Sequence, residues 1–144
     1  MVVTPFEAEV FHASLKRCES SEGFYHRFSK IFMETAEEVR DRFRNTDFER
    51  QVRMLRASIT MAALVSQDNR QVRLHIKRLA ASYGHAGYDI PPRLFEVWLD
   101  CLLNAVEECD PKFDKTIRRV WGKIMRPAVD LIKAGGKSAP SRAA

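Results

Sequence analysis

At 144 residues the chain has the length of one domain and can bury a core without metal or disulfide staples. Hydrophobic residues make up 45% and charged residues 30%, an ordinary globular balance. No basic leader followed by an apolar run opens it and no stretch approaches roughly 18 apolar residues, so neither a signal peptide nor a membrane span is expected.

The formal charge of +5 is densest at Arg50, Arg53 and Arg56, then at Arg70, Arg73, Lys77 and Arg78. Clustered cations are where phosphate binding starts. Helical spacing, however, puts many of these arginines on an outward face, and acids are interleaved elsewhere. A solvated helix face outweighs a nucleic-acid footprint. Cys18, Cys101 and Cys109 are odd in number and lack C-x-x-C spacing, which fits reduced, mostly buried side chains in a cytoplasmic protein.

Taken in chain order, the pattern is helical throughout. Thr4-Pro5-Phe6-Glu7 places a capping hydroxyl, a first-turn proline and a glutamate three residues on, opening a helix over 4–19. Phe24, Phe28, Ile31 and Phe32 stripe a second over 21–34. Thr35 with Glu38 repeats the capping spacing for a short helix at 36–42, and Thr46 with Glu49 for a long one at 46–66, striped by Val52, Leu55, Ile59 and Ala62. Asp68 is placed to cap a helix over 69–83, whose apolar residues are Val72, Ile76, Leu79 and Tyr83. After Pro92, a helix to 109 presents Leu94, Trp98, Cys101, Leu102 and Ala105. Asp110-Pro111 then reads as the cap of a final helix over 112–133, which Pro127 should kink or shorten. Residues 1–134 form one all-α bundle of about seven helices, and the Gly-, Ser- and Pro-bearing stretch 135–144 reads as a disordered tail.

Within that frame the motifs resemble the globin family, specifically bacterial single-domain globins. The run from Phe28 to Phe43 is similar to their second helix and corner, and the resemblance makes Phe43 the ring that stacks against haem. Thr46-Asp47-Phe48-x-x-Gln51-x-x-x-Leu55-x-x-Ser58 resembles the start of the long distal helix, which implies Gln51 as the distal polar residue and Leu55 one turn later beside it. Leu94 to Val106, followed by Trp121-x-x-x-Met125-x-Pro127, is similar to the two closing helices, so the resemblance spans about residues 5–133. Arg73, His75 and Lys77 are cations available to haem propionates.

The proximal side departs from the pattern. Globins place a histidine four residues after the leucine of a Leu-Ala pair, and Leu79 of Leu79-Ala80 is followed at that distance by Tyr83; His85 comes two residues late, before Ile90-Pro91-Pro92. Three arrangements are open. Tyr83 ligates iron as a phenolate, a hard anionic donor that favours the ferric state. Alternatively, Gly84 and Gly87 let the chain shift so that His85 is the ligand, with Ala81 rather than Leu79 beneath the porphyrin. In the third, neither binds iron and Tyr83 packs in the core of a haem-free regulatory or protein-interaction module. Ser29, where many of these globins carry a tyrosine, has too short a hydroxyl to reach an iron ligand; Tyr25, one turn earlier, is a candidate to approach the pocket.

The resemblance thus implies a haem-binding protein, with Phe43, Gln51, Leu55, Leu79, Tyr83 and His85 around the cofactor and Tyr83 or His85 on the metal. Sensing of a small diatomic or redox signal, or haem handling, fits these substitutions better than oxygen storage. No reductase segment or catalytic constellation argues for an enzyme. Arginine-rich faces and the aromatic-rich last helices offer surfaces for a homodimer.

Overall fold

A computed structural model describes residues 3–42, 47–67, 70–71, 73–75, 77–78 and 93–142, without the side chains of Val39, Arg42 and 135–142. Six helices are complete: α1 (Pro5–Ser20), α2 (Phe24–Thr35), α3 (Glu37–Arg42), α4 (Phe48–Ser66), α5 (Arg93–Cys109) and α6 (Lys115–Arg142). Among the described residues there is no strand. Where the sequence predicts a helix over 69–83, the described residues 70, 71, 73–75, 77 and 78 are helical.

Local chemistry sets most of the boundaries. The Thr4 hydroxyl accepts from the Glu7 amide at 3.1 Å while Glu7 Oε1 accepts from the Thr4 amide at 2.9 Å, the reciprocal cap expected for α1. Gly23, at φ 90°, turns the chain into α2 through the left-handed region, which any other common residue enters at a cost of about 1 kcal/mol.

Three expected caps turn out otherwise. Thr35 closes α2 instead of opening α3, its hydroxyl donating back to the Ile31 carbonyl at 2.7 Å. Asp47, next to the expected Thr46, is the N-cap of α4. Asp114 rather than Asp110 starts α6, accepting from the Ile117 amide at 2.8 Å. Finally, α6 runs past Pro127 to Arg142, so the backbone of 135–142 continues the helix where composition suggests a tail. Proline removes one amide donor, but a helix already nucleated and packed gains a bond with each further residue.

The apolar stripes meet in one core. α2 packs on α5 and α4, while α4 and α5 each pack on α6, and α1 closes over α6. Phe28 sits at its centre, its ring 5.9 Å edge-on from Trp98 and 6.4 Å from Phe32. Phe11 of α1 meets Trp121 of α6 edge-on at 4.7 Å, both rings fully buried. Cys18 and Cys101 are buried within this core and Cys109 half-buried, all three free thiols; burial pushes the Cys18 thiol up to about 12.

Three carboxylates fasten the helices. Glu7 takes Lys123 at 2.7 Å and Arg119 at 3.1 Å, tying the start of α1 to α6. Glu96 of α5 takes Arg126 and Lys133 of α6, each at 2.6 Å. Asp110 receives Ser14 and Arg17 from α1. The Arg126 bond, then that of Lys133, holds the Glu96 carboxyl at about 2, and Lys123 and the Thr4 amide hold Glu7 at about 2 as well. Both folded values lie below the ordinary 4.5. Their contribution is therefore complete above that value and is lost as pH falls toward 2. Urea midpoints should drop between about pH 5 and about pH 2 in the parent, and Glu96→Gln should flatten that decline. An unchanged slope in the variant would mean that the Glu96 cluster does not couple to folding.

Candidate functional site

The buried sides of α2 and α4 hold two polar groups that the core does not satisfy. Ser29, fully buried on α2, has a hydroxyl with no hydrogen-bond partner, and Gln51, 2% exposed on α4, has an unpartnered amide nitrogen. Leu55 follows Gln51 one turn later at 6% exposure and joins the apolar core. Leaving a buried donor or acceptor unsatisfied costs about 1–3 kcal/mol each. Each such group is complementary to something with a hydrogen-bonding atom. The amide nitrogen can only donate, so its counterpart must accept.

Other expected participants behave differently. Tyr25 does not turn toward these groups. Its hydroxyl donates to Glu19 at the surface, its ring lies 4.9 Å from Phe24, and the Arg56 guanidinium sits 5.5 Å over it. Burial and the Glu19 carboxylate raise its pKa, so it stays a phenol. His75 and Lys77 are exposed and Arg73 half-buried. Phe43, Leu79, Tyr83 and His85 lie outside the described residues. Among the described residues no three His, Cys, Asp or Glu side chains gather into a metal-ligand group, and no helix is long and apolar enough to cross a membrane.

Sequence reasoning missed a second polar constellation. Asp110 accepts from Ser14 Oγ at 2.6 Å, from Arg17 Nε at 2.6 Å and Nη2 at 3.0 Å, and from the Lys112 amide at 2.9 Å. Trp121 Nε1 donates to the same Ser14 oxygen at 2.9 Å. Everything in this cluster is satisfied, which marks it as a fastening rather than a binding site.

The helix arrangement has a close counterpart. A crystal structure of a protein from Pseudomonas aeruginosa PAO1, described as structurally highly homologous to a human haemoglobin, superposes with a TM-score of 0.83. The two sequences are 32% identical, over 90% of this chain and 97% of that one. The chain belongs to the globin-like family. No family profile and no curated protein matches it. In a globin-like chain, α2 and α4 are the helices on which the motif resemblance put Ser29 and Gln51. Gln51 would read as exposed from its local sequence, whereas the packing of α4 buries it.

Proposed function

We propose that this globin-like chain binds haem with non-standard proximal ligation, and that it serves ligand or redox sensing, or haem handling, instead of oxygen storage. The observation that carries the reading is the unpartnered Gln51 amide nitrogen, buried on α4 beside Leu55, with the unpartnered Ser29 hydroxyl on α2. A buried donor with nothing to donate to is what a site for a small acceptor ligand requires, and the apolar Leu55 keeps water out. The Pseudomonas relative described as structurally highly homologous to a human haemoglobin supports the reading at the level of the fold.

Haem bound there would supply an iron centre able to take a small ligand. Tyr83 is the first candidate to hold the iron and His85 the second, with Phe43, Leu55 and Leu79 as apolar walls and Arg73, His75 and Lys77 available to carboxylates. Tyr83, as a hard anionic phenolate donor, would favour ferric iron in such a site. Gln51 would donate a hydrogen bond from its amide nitrogen to an acceptor atom of such a ligand. Ser29 is too short to do so directly, which argues against tight retention of oxygen.

Titration of the purified chain with ferric haem tests this. Saturable one-to-one binding with a shifted Soret band is expected, and Tyr83→Phe should change that spectrum while His85→Ala should not. The reverse result assigns His85. Gln51→Leu removes the orphaned donor and should leave haem affinity intact while stabilising the haem-free chain by about 1 kcal/mol. No saturable binding overturns the proposal in favour of a haem-free interaction module.

A further inference from the structure

Charge in this molecule is unevenly placed. Between residues 50 and 78 there are seven lysines and arginines and one acid, Asp68, so this segment holds +6 and the rest of the chain −1. Elsewhere cations are often paired, as Arg17, Arg27, Arg93, Lys123 and Arg126 are with carboxylates. Arg50, Arg53, Arg70 and Arg78 are exposed and have no partner among the described residues.

The same segment exposes apolar side chains among those cations. Met54 is 46% and Leu74 48% exposed. Met54 shares one side of α4 with Arg50 and Arg53, opposite the buried Leu55 and Ile59. Leu74 stands one turn from Arg70 and one from Arg78 in the helical residues that follow. Each stretch therefore sets one exposed apolar residue within about a turn of two exposed arginines.

We propose that Arg50, Arg53 and Met54 on the outward side of α4, together with the exposed Arg70, Leu74 and Arg78 that follow it, dock on an anionic lipid surface. Guanidinium groups pair with headgroup phosphates, and Met54 and Leu74 enter the apolar layer just beneath them. Nucleic acid matches the charge but has no apolar layer under its phosphates, so both side chains would stay uncompensated. A second copy of this face would bring like charge against like charge. The absence of a membrane-spanning helix among the described residues is compatible with such a contact, because docking of this kind leaves the core intact.

The test is co-sedimentation of the full chain with phosphatidylcholine vesicles containing about 30% phosphatidylglycerol, and with vesicles of phosphatidylcholine alone, at about 50 mM salt. Binding is expected only to the anionic vesicles and should be lost in about 0.5 M salt. Arg50→Glu with Arg53→Glu should weaken it by about 10-fold or more. Lys115→Glu with Arg118→Glu, the same charge change on α6, should leave it nearly unchanged. Met54→Ser should weaken it about 3-fold without affecting retention on duplex DNA. Equal losses in the two charge-reversed pairs, no binding to anionic vesicles, or tighter retention on DNA than on vesicles would each overturn the proposal.

Discussion

Trp121→Ala is expected to cost about 3–5 kcal/mol, the range for truncating a large buried aromatic ring. Trp121 is fully buried on α6, edge-on against Phe11 at 4.7 Å. Its indole nitrogen donates to Ser14 at 2.9 Å, so the ring supplies both apolar contact and a hydrogen bond to α1. Alanine leaves a cavity that the two packed helices could close only by shifting toward each other. The loss should appear as a lower urea midpoint by far-ultraviolet circular dichroism, with Trp98 remaining as a fluorophore. Trp121→Phe keeps most of the volume and forfeits the N–H, so about 1–2 kcal/mol is expected there. A loss under about 1 kcal/mol for the alanine variant would refute the packing argument.

Replacing Asp110 should be nearly as damaging. Its carboxylate side chain is fully buried and receives Ser14, Arg17 and the Lys112 amide. Breaking a buried pair costs about 3–5 kcal/mol, and Arg17, a quarter exposed, can turn partly to water, so about 3 kcal/mol is expected for Asp110→Ala. Burial pushes the Asp110 carboxyl up, but the bonds from Arg17, Ser14 and Lys112 outweigh it and hold it below the usual aspartate value. Its contribution is therefore complete above the unfolded value near 3.8 and fades as pH falls below it. Removing Arg17 in the Asp110→Ala background should cost little more, and a full additional loss would show that the two act independently.

Much of the helical frame was legible because its signals are local. The Thr4–Glu7 cap, the Phe24, Phe28 and Phe32 stripe, and the Val52 to Ala62 stripe each lie within a few turns and appear where the spacing puts them. What failed lay partly in partners far along the chain and partly in choices among near ones. Asp110 before a proline resembles a helix cap, and only the arrival of Ser14, 96 residues away, makes it a buried anchor. Tyr25 shares a helical side with Ser29, yet its long side chain finds Glu19 instead. Gln51 shows the opposite case: the family resemblance placed it inward where polarity alone would place it outside.

The fastening of α1 has a consequence for the order in which the chain is made. Glu7 finds Lys123 at a separation of 116 residues, and Arg17 finds Asp110 at 93. α1 therefore leaves the ribosome well before the partners that fasten it. Until α6 emerges, Glu7 lacks Lys123 and Phe11 lacks Trp121. Completion of the domain, not of its first half, is the event that seals the fold.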